Sequence, residues 1–267
     1  MNYVHLSNWD LALAASLLVI NAALSILLEL GLARRLLIAA LRMTVQLALV
    51  GLVLTTLFAN LSPWWTGLVA LLMIGFAGSE IAQRLDRPLN GGWSYGIGAG
   101  CMAVSSVVVM AFALSTQLRP DPWYDPRYAI PLLGMVLGNA MTGVALGLNT
   151  LTQAIVAQRA AVEARLALGD DHRAALLGPV RQAARSAMLP TVNSMAATGL
   201  VFLPGMMTGQ ILAGAAPADA VKYQLLVMFL IGGGTGLGAT GAIVLGAARL
   251  TDARCRLRLD RLAPEKK

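Results

Sequence analysis

Seven stretches of about 20 apolar residues follow one another along this chain, near residues 9 to 30, 36 to 58, 64 to 83, 93 to 117, 129 to 153, 190 to 213 and 221 to 248. That length crosses the hydrocarbon of a bilayer as a helix, and inside hydrocarbon each backbone N–H and C=O must find its partner within the segment. The expected fold is therefore all-α and polytopic, with about seven transmembrane helices. Hydrophobic residues make up 57% and charged residues 12% of the chain, where a soluble domain carries about 25% charged. No soluble domain fits between the spans. Residues 1 to 267 read as a single transmembrane domain, with a charged loop at about 154 to 189 and a basic tail at 249 to 267.

Orientation follows from the basic residues, because cytoplasmic loops carry the Lys and Arg excess. Placing the N-terminus outside and the C-terminus in the cytoplasm puts 16 of the 20 Lys and Arg inside, leaves Arg119, Arg127 and Lys222 outside, and leaves Arg42 within a span. Trp9, Trp64, Trp65 and Trp123 then fall at the outer interface as an aromatic belt. The first span has no Lys or Arg before it and is too long for a signal-peptide core, so it is expected to be retained. The net charge of +7 arises largely in the tail, from Arg254, Arg256, Arg258, Arg261, Lys266 and Lys267. Because the tail adjoins a span, anionic lipid headgroups rather than nucleic acid are the expected partner.

Cys101 lies in the fourth span and Cys255 in the tail, so no disulfide joins them; His5 and His172 fall on opposite sides of the membrane. No Cys/His spacing suggests a metal cage, and no tight metal site is expected. The only lysines, Lys222, Lys266 and Lys267, follow Val221, Glu265 and Lys266, so none completes a phosphate-binding P-loop. Glu29 and Glu80 sit near cytoplasmic ends of spans, which leaves no acid near mid-membrane to carry a coupling ion. The chain is expected to be no enzyme and to bind no cofactor, with energy supplied by another subunit.

The loop shows where such a subunit could act. Residues 154 to 168 contain neither Pro nor Gly, so the fifth helix can run on past the membrane until Gly169, Asp170 and Asp171 end it. A second segment from Asp171 to Met188 carries Arg173, Arg181 and Arg185, with Pro179 limiting its regularity and Leu189-Pro190 opening the sixth span. A solvated amphipathic loop is the plain alternative.

Glu163, Ala164, Arg165 and Gly169 resemble the Glu-Ala-Ala, three residues, Gly pattern with which ABC permeases dock their ATPase, although Leu189-Pro190 follows about ten residues later than in the common form. The stretch Gly199-Leu200-Val201-Phe202-Leu203-Pro204-Gly205-Met206-Met207-Thr208-Gly209-Gln210, then Ala213-Gly214, Pro217, Ala220 and Lys222-Tyr223-Gln224, resembles the signature of the iron-export ABC permease family. That family also includes the membrane subunit of a plant aluminium-tolerance transporter. Arg42, Gln46-Leu47 and Gly51, with Pro131, Gly134-Met135 and Gly138-Asn139-Ala140-Met141, agree in the same order. The resemblance implies a permease in a bacterial inner membrane that pairs with a separate ATP-binding subunit, as two permeases plus two ATPases, and exports iron. ATP and magnesium would be used by the partner chain. The alternatives are another metal, a nucleotide sugar, or a self-contained carrier or channel.

Pro204 lacks an N–H and Gly205 loosens the chain beside it, so the sixth helix should kink or break there. Broken helices in a membrane line cavities or are buried in protein. Met135, Asn139, Met141, Met206, Met207 and Gln210 are therefore the candidate substrate path, with a packing kink and methionine filler as the plain alternative. Arg42 is expected to snorkel to the cytoplasmic headgroups, or instead to pair with Glu29 or hold Gln46 and a neighbouring span, in a structural or gating role. Gly134 with Gly138, Gly143 with Gly147, and Gly234, Gly238, Ala242 and Gly246 are expected to mark helix interfaces.

Overall fold

In a computed structural model the described residues are 7–59, 62–252, 254 and 256–265. His5, Cys255, Lys266 and Lys267, on which expectations above rest, lie outside them. The described residues form helices joined by short turns, with no strand beyond isolated bridges. Two compact units divide the chain, residues 1–61 and 62–267.

The first unit is a hairpin of α1 (Asn8–Leu27) and α2 (Ala33–Ala59). Ser7 and Asp10 close a capping box at the start of α1, with Ser7 N donating to Asp10 Oδ2 at 2.8 Å and Asp10 N to Ser7 Oγ at 3.3 Å. After α1, Glu29 adopts a left-handed backbone (φ +53°), and Leu32 N donates to the Ser25 hydroxyl at 3.0 Å across the turn.

The second unit contains α3 (Pro63–Arg84), α4 (Trp93–Phe112, continued as a π-helical turn to Leu118), α5 (Pro126–Ala157), α6 (Arg159–Ala167), α7 (His172–Ala197), α8 (Gly205–Leu212) and α9 (Pro217–Arg249). Its core runs along α5 and α9, where Val144, Leu148, Leu151, Ile155, Ala239, Ala242 and Ile243 are almost fully buried. Missing side chains let these helices approach. A Cβ on Gly143 would lie 2.5 Å from Thr235 Cγ2, and one on Gly238 would lie 2.8 Å from Ser105 Oγ. No atom of the described residues lies within 4 Å of the Gly138 Cβ position, so this glycine meets no neighbouring helix within the unit.

Among the described residues, six helices are long and apolar enough to cross a membrane: α1, α2, α3, α4 with its extension, α5 and α9. The expected sixth span is built differently. Leu189-Pro190 does not open it; α7 is one helix from His172 through Pro179 and Pro190 to Ala197. Each proline removes a single backbone donor, while the buried row Ala175, Leu176, Pro179, Ala183, Ala187 and Thr191 packs one face of the helix throughout. The chain then turns at Gly199 (φ +88°), whose N–H donates to Phe202 O at 3.0 Å, and restarts as α8 after Pro204.

The basic tail folds back as a strap. Arg258 N donates to Leu250 O at 2.8 Å, and Leu89 bridges Leu262. Asn90 N donates to Arg261 O at 2.8 Å, and Ala263 N to Pro88 O at 2.8 Å, so the strap is tied to the turn between α3 and α4. Arg87 pairs with Glu265 at 2.7 Å. Three of the strap's arginines are engaged locally: Arg256 with Asp252 at 2.8 Å, Arg258 with Asp260 at 2.8 Å, and Arg261 donating to the Arg249 and Thr251 carbonyls. Arg249 itself stacks 4.5 Å above Trp93.

Candidate functional site

The break between α7 and α8 opens a cavity of about 230 Å³ inside the second unit. Four helices furnish its polar lining at helical spacing, so that each presents one face to it. α5 contributes Met135 and Asn139, α7 contributes Thr191 and Ser194, α8 contributes Met206, and α9 contributes Gln224 with Val227, Met228 and Ile231. Phe202, Pro204 and Gly205 complete it at the break.

Asn139 Nδ2 donates to the Met135 carbonyl one turn back at 2.8 Å, which leaves its Oδ1 as an acceptor. Gln224 is 7% exposed, and its Oε1 has no hydrogen-bond partner among the described residues. A buried acceptor left that way costs about 1–3 kcal/mol; this oxygen has almost no accessible surface, so Gln224 meets the cavity through its other atoms. The lining offers neutral oxygens and thioethers and no formal charge. Oxygen donors suit harder cations and thioethers softer ones. Such a set favours weak, reversible coordination.

Met135, Asn139, Pro204, Gly205 and Met206 are thus brought together. Met141, Met207 and Gln210 do not line this cavity; Gln210 Oε1 is buried without a partner among the described residues. Thr191, Ser194 and Gln224 are additions that sequence reasoning did not single out as path residues. A glutamine within an apolar span is the same signal that marked Asn139, and it was available for Gln224. Glu29 lies at the turn after α1, and Arg42 and Gln46 lie one helical turn apart on α2. Among the described residues, no three His, Cys, Asp or Glu side chains gather as a metal cluster.

A second site lies on α6. Val162 is 2% exposed and anchors this short helix to the unit, while Glu163, Ala164, Arg165 and Leu168 face outward. The helix ends in a Schellman turn: Asp170 N donates to Arg165 O at 3.1 Å and Gly169 N to Leu166 O at 3.2 Å, with Gly169 at φ +96°. Asp171 then caps α7 by accepting from Ala174 N at 2.7 Å. Arg159 pairs with Glu163 at 2.8 Å and Arg165 with Asp170 at 2.7 Å, both at the surface. α5 stops at Ala157 and α6 starts at Arg159, so the expected continuous helix is interrupted at Gln158.

Residues 8–251 match the family described as Uncharacterised protein family (UPF0014). The chain belongs to this family. Its relatives include UPF0014 membrane protein slr1647 of Synechocystis, 38% identical over 205 residues, 76% of this chain and 77% of the relative. Probable iron export permease protein FetB of Escherichia coli is 33% identical over 236 residues, 86% of this chain and 87% of that one. Protein ALUMINUM SENSITIVE 3 of Arabidopsis thaliana is 35% identical over 222 residues, 82% and 79% of the two chains. No solved structure matches it. The chain is an all-helical membrane protein of a family that contains transport permeases, which points to transport rather than catalysis.

Proposed function

We propose that this protein is the permease subunit of an ATP-driven ABC exporter, with iron leaving the cytoplasm as its transported substrate. The neutral, oxygen- and sulfur-lined cavity at the broken helix carries this reading. Its volume of about 230 Å³ is several times the roughly 30 Å³ that one water takes in the liquid, room for a divalent cation that keeps part of its hydration shell. The name of the Escherichia coli relative supports iron. A nucleotide sugar fits less well: pockets for ligands of that class run to about 300–1,000 Å³, and no Lys or Arg lines the cavity to meet its phosphates.

Energy comes from a partner chain that binds ATP and magnesium and docks on α6, in an assembly of two permeases and two ATPases. Glu163, Ala164, Arg165 and Gly169 form the docking element, held outward by the buried Val162. The chain sits in a bacterial inner membrane as a single permease domain, N-terminus outside and C-terminus in the cytoplasm, as the distribution of basic residues favours.

The test is Fe(II) movement in proteoliposomes holding this chain with its candidate ATPase, against the same ATPase lacking its P-loop lysine. Transport that needs ATP and the intact partner is expected, and Asn139→Leu and Gln224→Leu should each abolish it while the complex still assembles. An assembled complex that hydrolyses ATP and moves no iron overturns the substrate. Iron movement without any ATPase overturns the ABC reading in favour of a self-contained carrier.

A further inference from the structure

α7 carries Arg173, Arg181 and Arg185 and no acidic residue. All three are exposed, and none forms an ion pair among the described residues. The nearest acids are occupied: Asp171 caps α7, and Asp170 pairs with Arg165. Beside Arg173 a groove of about 470 Å³ opens between α7 and α9. Its walls are Leu176, Leu177 and Val180 of α7 with Val244, Ala247 and Ala248 of α9; His172 and Arg173, at the N-terminal end of α7, are its polar side chains.

The position of the groove selects its occupant. Val244 to Ala248 form the last turns of a helix long and apolar enough to cross a membrane, which ends at Arg249. An apolar trough on the end of such a helix, with an unpaired guanidinium at its mouth, complements an amphiphile whose negative head lies at the interface. We propose that this groove binds an anionic phospholipid, its phosphate on Arg173 and an acyl chain between α7 and α9. The tail is the less suitable headgroup site, because Arg256, Arg258 and Arg261 are already held by Asp252, Asp260 and backbone carbonyls. The lipid site does not depend on which substrate the permease carries.

The experiment uses the full-length permease purified in detergent with equal phosphatidylglycerol and phosphatidylcholine, and retained lipid is counted by mass spectrometry. One cation beside an anionic headgroup is worth about fivefold in binding, so the wild type should retain phosphatidylglycerol by at least that factor. Arg173→Ala should bring the ratio towards one, and Arg173→Lys should keep most of it. Ala248→Trp, which fills the groove without touching a charge, should lower retention of the anionic lipid. An unchanged ratio in Arg173→Ala together with unchanged retention in Ala248→Trp overturns the proposal. So does displacement of the lipid by millimolar inorganic phosphate, which would make this an anion site only. Loss of the preference in Arg256→Ala instead would assign the lipid to the tail and overturn it equally.

Discussion

Two arginine-rich segments of this molecule have similar composition and opposite behaviour. In the strap from Leu250 to Glu265, the guanidiniums of Arg256, Arg258 and Arg261 are held by Asp252, Asp260 and the carbonyls of Arg249 and Thr251, and Glu265 takes Arg87. On α6 and α7 the basic side chains either pair with a neighbour at the surface, as Arg159 and Arg165 do, or have no acid beside them, as with Arg173, Arg181 and Arg185. Counting charges does not tell these cases apart. What separates them is acid spacing: Asp252 and Asp260 stand four and two residues from their partners in a chain that turns back on itself, whereas α7 offers its arginines nothing. The first segment is a structural fastening and the second an open surface.

The sharpest break of this contrast is Gly169→Val. A β-branched residue at φ +96° costs about 1–3 kcal/mol of backbone strain, enough to disrupt the end of α6; with the ATPase docking proposed for that helix, ATP hydrolysis coupled to transport should fall about tenfold or more while the protein still inserts. Normal coupling would return the loop to a solvated role. Glu163→Ala should come next, lowering coupled hydrolysis with little change in thermal stability. Its exposed pair with Arg159 has the basic residue first, the weaker orientation, and is worth at most about 0.5 kcal/mol.

In the strap the effects should be on stability instead. Arg261→Ala removes the donors to two carbonyls, at 2.6 and 3.2 Å, and should cost about 1–3 kcal/mol, read as faster proteolysis between residues 250 and 265. Arg181→Ala on the open surface should stay within about 0.5 kcal/mol. Arg87→Ala breaks a surface pair with Glu265 and should cost under about 1 kcal/mol. The smallest effect is pH. The hydrogen bond from Arg258 holds Asp260 below the usual 3.8, at about 2, and backbone donation from Arg256 lowers Asp252. A depressed carboxylate contributes its stability above its unfolded pKa and loses it as pH falls through the folded one. Protection of the strap should therefore be flat from pH 5 to 8 and decline only below about pH 4; a decline near pH 6 would contradict this assignment.

Some of the site could be read directly from residues. Asn139 was expected to face another helix or the path because it is costly in lipid; it lines the cavity, with its amide on the Met135 carbonyl of its own helix and its side chain still exposed. Pro204 with Gly205 marked the break, although the helix already ends at Ala197 and turns through Gly199. Pro179 and Pro190 misled, because local propensity disfavours proline within a helix while the buried alanine row of α7 keeps it straight. Within the second unit hydropathy did not rank the helices for burial: α3 and α9 have nearly equal mean hydropathy, 1.5 and 1.6, with 17% and 56% of their most apolar windows buried. The glycines of α9 are the better guide, since they allow close approach and lower hydropathy together.

By itself the sequence determined the class of this protein, its long apolar helices, the stop at Gly169 after α6, and its family. These depend on the run length of apolar residues and on local backbone preference, both of which are properties of neighbours in the chain. Only the tertiary structure decided that Gln224, Thr191 and Ser194 join Asn139 and Met206 around one cavity, and that Arg256, Arg258 and Arg261 are held within the strap. Both depend on which helix faces meet and which distant groups come within hydrogen-bond reach. That is set by packing across the whole unit rather than by any local pattern.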